Sequence, residues 1–343
     1  MFLFVLTFFA CGEGDDEGKG DAAGLSDDSA HLSAVEVEIA SLRARMAELE
    51  QQNAELRAKL FVTSEGDLLV RGANLIVQSG AGSTMAAPNG KGNLIIGYNE
   101  RLLDEERSGS HNLVVGPFHA YKAYGGVVFG ADNQIDGEYT TVLGGLENSA
   151  AGIASSVQGG SGNLADGTVT VVVGGHENLA RGSATWVGGG RANEALGVYS
   201  TIVGGDSNEA SGTNSAVLGG YRNHSASVYT TVMGGSDNEV VGLFSVINGG
   251  HGNETLGRYI VINGGRNNHG LADYSTISGG GENTTDDEAT AIFGGFGNKA
   301  SNNYAVIYGG EYSVASGVHS AVFGGKGTEV TEAYENAFGY DDP

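Results

Sequence analysis

Residues 160–204 read GSGNLADGTVTVVVG, GHENLARGSATWVGG and GRANEALGVYSTIVG, three consecutive units of fifteen residues. Each opens on glycine (Gly160, Gly175, Gly190) and closes on glycine (Gly174, Gly189, Gly204). Asn163, Asn178 and Asn193 stand three residues after the opening glycine, and Gly167, Gly182 and Gly197 seven after it. Self-similarity at a fixed period marks a stacked repeat, in which no unit buries its apolar side without a neighbour. Working outward from this stretch, the opening glycine recurs from Gly130 to Gly325 without an insertion, fourteen units in all. Asn follows it in twelve of them, with Ser313 and Thr328 in the last two; the second glycine appears in nine. Ser or Thr comes ten residues on in eleven units, Val or Ile twelve on in thirteen, and glycine closes every unit.

Two glycine-marked corners separated by two short runs describe one coil with two strands, so the expected fold is all-β: a parallel β-roll or β-solenoid of fifteen-residue coils. Side chains alternate along a strand, which assigns the faces. Val142, Val157, Val172, Ile202, Ile247 and Ile292 then point inward with the Ser or Thr two residues earlier. Asn148, Asn163, Asn178, Asn193, Asn208, Asn223, Asn238 and Asn253 point inward on the other strand, with Ala150, Ala165, Ala180, Ala195 and Ala210. The interior is thin, and the Asn residues form a structural ladder that satisfies corner backbone groups and one another. At ~4.8 Å per coil the fourteen units make a rod roughly 65–70 Å long. Calcium-binding β-rolls are disfavoured, since they need Gly-Gly-x-Gly-x-Asp nonapeptides and the ladder position here is Asn, a neutral ligand.

The outward sides differ. The second strand presents Val171, Val173, Trp186, Val203, Leu218, Met233, Phe293, Tyr308, Phe323 and Phe338, a broadly apolar strip that an isolated rod would expose along its length. The first strand presents Glu194, Glu209, Glu239, Glu254, Arg191, Arg222, Arg266 and Lys299, a solvated face. Three rolls packed on their apolar faces would remove the exposed strip. Tyr139, Tyr199, Tyr229, Tyr259, Tyr274, Tyr304 and Tyr334 recur nine residues into the unit, where a seam between chains or stacking on glycans would use them.

Ahead of the repeats, residues 1–11 read as a signal sequence ending in a cysteine: an apolar run, MFLFVLTFFA, too short to span a bilayer, then Cys11. Cys11 behind Ala10 resembles the lipobox of bacterial lipoproteins, which implies lipidation at Cys11. Residues 12–30 are acidic, Gly/Ser/Ala-rich and expected to be a disordered tether. Residues 31–60 carry a heptad, with Leu32, Val35, Ile39, Leu42, Met46, Leu49, Asn53, Leu56 and Leu60 at a and d. Glu38 with Arg43 and Arg45 with Glu50 are opposite charges when identical chains lie parallel and in register. Asn53 at an a position favours a dimer, whereas Arg45 to Glu50 resembles known trimerisation signals; with the apolar strip, the expectation is a homotrimer. Residues 61–129 are assigned to a neck and irregular first coils, among them Asn93–Gly97 and Asn112–Gly116, with a loop insertion at 101–110. Residues 130–339 hold the fourteen repeats, and 340–343 are a tail.

The chain of 343 residues has 41 acids against 17 Lys and Arg, a formal charge of -24 that repels phosphate backbones, so nucleic acid is not an expected partner. One cysteine allows no intrachain disulfide and no thiolate metal site. His176, His224, His251, His269 and His319 match no ligand spacing, and Asp286-Asp287-Glu288 reads as a solvated corner. No catalytic residues, metal or cofactor are expected.

The order Gly, Asn, Ala, Gly, Ser, Val resembles the head repeats of trimeric autotransporter adhesins, the YadA-like β-rolls, as a fifteen-residue variant of their fourteen-residue unit. The resemblance covers Gly130–Gly339 and implies bacterial surface display, trimerisation and adhesion. Two departures stand against it: the chain stops at Asp341-Asp342-Pro343 without those adhesins' C-terminal membrane barrel, and the stalk precedes the head. Anchoring then falls to Cys11 and the outer membrane, with the last coils, Lys326–Tyr340, held farthest out. The function expected is a non-enzymatic, surface-anchored trimeric adhesin or structural fibre, at the cell surface or outside the cell. It would bind an unidentified surface or glycan by multivalent contact. The alternative is a polysaccharide-binding or -processing trimeric fibre of phage-tail type. Ice binding fails on parity, because the regular Ser/Thr position faces inward.

Overall fold

The computed structural model describes residues 24–101 and 106–339, in two units, Met1–Ile76 and Val77–Pro343. The proposed lipidation site Cys11 and the tail 340–343 lie outside the described residues.

The first unit contains one α-helix, Gly24–Lys59, followed by an antiparallel pair of strands, Leu60–Val62 and Leu68–Val70. The helix begins seven residues before the heptad, inside the segment expected to be a tether. Once nucleated, a helix gains a hydrogen bond for each residue added, so its start is not fixed by the apolar pattern. It ends one residue short of the expected boundary. Leu60, counted as the last heptad position, pairs with Val70 instead, in a run of strand-forming residues that turns at Gly66. Along the helix Leu42, Met46, Leu49 and Leu56 are exposed in the single chain, as are Arg45, Glu50 and Asn53.

The second unit is a parallel β-solenoid of roughly sixteen turns with two strands per turn. One sheet starts at Leu94–Ile96 and ends at Asn336–Ala337; the other runs from Ala120–Tyr121 to Glu329–Val330. From residue 130 onward every pairing is offset by fifteen residues: Val171 pairs with Trp186 and Trp186 with Thr201, while Val172, Val187 and Ile202 stack inside. The irregular coils expected at 93–97 and 112–116 join the same sheet, Ile95 pairing with Val114 across the insertion. In the repeats the Val/Ile positions up to Val322 and the twelve ladder Asn are fully buried, or nearly so. The Ser/Thr positions through Ser320 join them, so the face assignment by alternation holds in three dimensions.

Glycine at the opening corner of every coil, and at the second corner of nine, lies in close approach to the next coil. A Cβ on Gly175, which has φ +89°, would lie 2.2 Å from the Gly190 carbonyl oxygen. One on Gly182 would lie 2.3 Å from that of Gly197. Each coil therefore sits against the next with no side chain between them, at the strand spacing of ~4.8 Å.

The Asn ladder closes the corner. The Asn163 amide donates to the Gly159 and Gly175 carbonyls, both at 3.0 Å, and to Asn148 Oδ1 at 3.0 Å. Asn148 Oδ1 also accepts the Asn163 backbone N–H at 3.1 Å. The pattern repeats to Asn298, whose Oδ1 accepts the backbone N–H of Ser313. Sequence reasoning did not include His119 in this ladder. It is buried one turn before Asn133, accepts the Asn133 N–H on Nδ1 at 3.2 Å, and donates from Nε2 to the Val115 carbonyl at 3.0 Å. The imidazole thus occupies both hydrogen-bonding roles of the amide it replaces.

The interior has a constant cross-section. The residue ten places into one coil meets the residue five places into the next, as where the Thr285 hydroxyl donates to Ser275 Oγ at 2.9 Å. At two pairs a bulky isoleucine is met by glycine. Ile260 takes a Ser/Thr place and faces Gly270, where a Cβ would meet Ile260 Cγ2 at 2.6 Å. Ile135 faces Gly126, where a Cβ would meet Ile135 Cδ1 at 2.6 Å. Gly270→Ala is therefore expected to destabilise the protein by about 1–3 kcal/mol through overpacking. Adding Ile260→Ser to Gly270→Ala restores the repeat's usual pair and should recover most of the loss in a denaturation cycle. Equal, additive losses in the double variant would show that the two residues do not share a space.

Candidate functional site

Three surfaces of the solenoid carry exposed chemistry, each a single repeat position copied along the axis. On the strand holding the inward Val/Ile, the outward residue thirteen places into the unit is apolar in most coils. Leu143, Val203, Leu218, Met233, Phe293, Tyr308 and Phe323 are each between two-fifths and just over half exposed. Phe293, Tyr308, Phe323 and Phe338 stack face to face, with centroids 5.3, 4.8 and 4.6 Å apart. The strip is interrupted by Gln158, Asn248, Asn263 and Ser278, and Asn248 donates to Asn263 across coils at 2.7 Å. Trp186 differs from the other aromatics. A Cβ on Gly188 would lie 2.5 Å from its ring, so the indole lies over the glycine backbone and is only partly exposed.

The second surface is the polar strand. Four residues after the opening glycine come Glu194, Glu209, His224, Glu239, Glu254 and His269, one per coil. His224 lies 3.3 Å from Glu209 and 3.4 Å from Glu239, and His269 lies 3.1 Å from Glu254. Lys122–Asp136, Arg191–Asp206 and Lys299–Asp286, with Arg258–Asp273 at the corner beside Tyr259 and Tyr274, form rungs of 2.5–3.0 Å between successive coils. The carboxyl of Asp206 is held below its ordinary range by the Ser207 hydroxyl and then by Arg191. That of Asp273 is held down by hydrogen bonds from the Arg258 guanidinium and backbone N–H. Tyr124 is shielded from solvent and packs edge-on against Tyr139; its phenol is pushed up to about 12 by burial and by hydrogen bonding to Glu138. Among the described residues no group of three His, Cys, Asp or Glu is arranged to hold a metal ion. The His–Glu rungs are partly exposed to solvent along the strand.

The third surface is a corner. The residue nine places into the unit has a positive φ throughout, 55–64° from Tyr139 to Tyr334, although none of these residues is glycine. That conformation costs a side chain about 1–2 kcal/mol, and it is compensated here by the N–H donating back to the preceding coil, as Ala184 does to Thr168 at 2.9 Å. Side chains at this corner point to solvent and align. Tyr229, Phe244, Tyr259 and Tyr274 stack with centroids 5.3, 5.0 and 5.0 Å apart, and Tyr304, His319 and Tyr334 stack at 4.6 and 5.1 Å. His319 is thus a member of an aromatic column.

A small depression of about 340 Å³ lies before the first coils, lined by Gln78, Ser79, Gly80, Gly82, Ser83, Thr84 and His111. His111 accepts the Ser79 N–H on Nε2 at 3.2 Å, which ties the segment before the first coil to the sheet. Asp286 pairs with Lys299 and the Asp287 carbonyl accepts the Thr290 hydroxyl at 2.8 Å, so much of the acidic corner is structural. No helix of the described residues is long and apolar enough to cross a membrane. No family model matches the chain, and no curated protein matches it.

Carboxylates whose folded pKa is depressed contribute stability above their unfolded pKa, and that contribution is lost as pH falls through the folded value. Titration of the Asp206 and Asp273 carboxyl carbons by NMR should give midpoints below 3.8, with those of Arg191→Ala and Arg258→Ala variants rising toward it. Midpoints at 3.8 in the unsubstituted chain would show that the rungs do not persist in solution.

Proposed function

We propose that the chain is a self-associating surface fibre, a trimeric adhesin-like or structural protein that works by multivalent contact and carries out no turnover. The carrying observation is that two separate apolar stripes are left uncovered in one chain. Leu42, Met46, Leu49 and Leu56 line the helix at a and d spacing, and Leu218, Met233, Phe293 and Phe323 line the solenoid. Each has the geometry of a seam: heptads pair helices, and a flat apolar strand face wants another. A third feature supports close approach of a second copy. Gly204 and Gly234 close their coils beside that strip, meet nothing within 4 Å and have no positive φ, so no contact inside the chain calls for glycine there.

In this reading the helix is a parallel coiled coil, in which Arg45 and Glu50 pair between chains and Asn53 fixes the register. The strip on the solenoid packs on its copies. Similarity of the repeat to YadA-like heads supports three chains and surface display, and Cys11 would carry the lipid that anchors the chain to the outer membrane. The polar strand stays outward and repeats each exposed group once per coil in every chain, so weak contacts to a surface or glycan add by avidity.

Light scattering on the purified chain from residue 12 onward should give three times the chain mass. Leu218→Glu with Phe293→Glu should reduce the mass or the stability of the assembly, whereas Glu209→Ala should leave both within about 0.5 kcal/mol of unchanged. A soluble monomer would overturn the seam, and a dimer would show that Asn53 outweighs the Arg45–Glu50 pattern. In cells, attachment should fall when the head is cut back to half its coils. Hydrolysis of a polysaccharide, abolished by one carboxylate substitution, would replace this reading with the enzymatic fibre.

A further inference from the structure

The aromatic column at the third surface is broken at a single place by alanine. From Tyr229 the corner residues are Tyr, Phe, Tyr, Tyr, Ala, Tyr, His and Tyr, and Ala289 lies between Tyr274 and Tyr304. Tyr274 stacks on Tyr259 at 5.0 Å and 6°, which covers its face on the N-terminal side; Tyr304 stacks on His319 at 4.6 Å and 4°, which covers its face on the C-terminal side. The two remaining faces look toward each other across the coil of Ala289. Two coil spacings, ~9.6 Å, separate the coils that carry them. The same interval is filled elsewhere in the same column: Phe244 sits between Tyr229 and Tyr259, 5.3 and 5.0 Å from them. Ala289 leaves that ring-sized place with a methyl group as its floor, and Tyr274 and Tyr304 are each about half exposed.

The net charge beside this place is negative. Glu288 precedes Ala289, is exposed, and takes part in no ion pair among the described residues. Asp273, beside Tyr274, is matched by Arg258 and Asp286 by Lys299, so the local excess is the carboxylates of Glu288 and of Asp287, which accepts the Glu288 N–H, on a chain of net charge -24. A ring between two tyrosine faces is held by stacking, and a positive charge on it is favoured by the quadrupoles of both faces and by the carboxylate.

We propose that the break at Ala289 is a binding slot for one flat aromatic cation, inserted between Tyr274 and Tyr304 with its charge toward Glu288. The slot is distinct from the apolar strip and from the polar strand, and it occurs once per chain. Asn214, between Tyr199 and Tyr229, is the corresponding place with a longer, polar residue.

Proflavine, a flat cationic dye, serves as the probe, its fluorescence quenched on stacking against tyrosine, with the full chain titrated at moderate salt. One saturable site per chain is expected. Ala289→Tyr completes the column with the residue that the same corner holds in seven other coils, so the fold is retained, and it should weaken binding about tenfold or more by filling the slot. Glu288→Gln should weaken it about two- to fivefold and reduce the dependence on salt. 1-Naphthalenesulfonate, flat but anionic, should bind more weakly than the dye. Unchanged proflavine binding in Ala289→Tyr, or no saturable site in the unsubstituted chain, overturns the proposal. Tighter binding of N-acetylargininamide than of proflavine overturns the assignment to an aromatic ring.

Discussion

Every coil of the solenoid leaves corner backbone groups without a partner in its own coil, and the next coil must supply one. The constraint is severe because a fifteen-residue turn has no room for water inside, and an unpaired buried carbonyl or N–H costs about as much as a lost hydrogen bond. The asparagine amide meets it in both directions at once. Its NH₂ donates to carbonyls of the preceding and the following coil, and its oxygen takes the backbone and side-chain N–H groups of the following Asn. Glycine at the opening corner of each coil follows from the same requirement, since a carbonyl about two ångströms from a would-be Cβ leaves no place for one, as at Gly175.

This explains why the repeat tolerates no insertion after residue 130 yet accepts wide variation outside. A one-residue slip would misplace the amide against both carbonyls and turn every inward Val outward. Outward positions carry Trp, Thr, Glu, His or Phe with no effect on the ladder, which is how one scaffold presents an apolar strip, a carboxylate–imidazole row and an aromatic column. Where an isoleucine enters the interior at 135 or 260, glycine stands opposite it, at 126 or 270.

Much of this was legible in the sequence because the signals are periodic. Alternation assigned Val172, Thr170, Asn178 and Ala180 to the interior without a contact map, and the irregular coils at 95 and 114 were recognisable by their apolar runs. The remainder depends on coincidences between coils that a period does not encode. His119 stands outside the fifteen-residue spacing and has a different residue type, and only its hydrogen bonds reveal it as a rung. The helix extends past its heptad and yields Leu60 to a strand because local backbone pairing, not apolar spacing, decides its ends. The recurrence of Tyr nine residues into the unit was evident. Its gap at Ala289 gains meaning only once neighbouring rings are seen to stack.

The account rests on the amide ladder as the element that couples one coil to the next, and native-state hydrogen exchange reads that coupling directly. The backbone amides of Asn163, Asn178, Asn193 and Asn208 donate to side-chain oxygens, bonds that in most proteins exchange quickly. Here they should be protected as strongly as the strand amides of Val172 and Ile202. Asn193→Ala should remove protection from Asn208 and its neighbouring coils together. Ladder amides that exchange orders of magnitude faster than the strand amides, or a loss confined to the substituted residue, would contradict it.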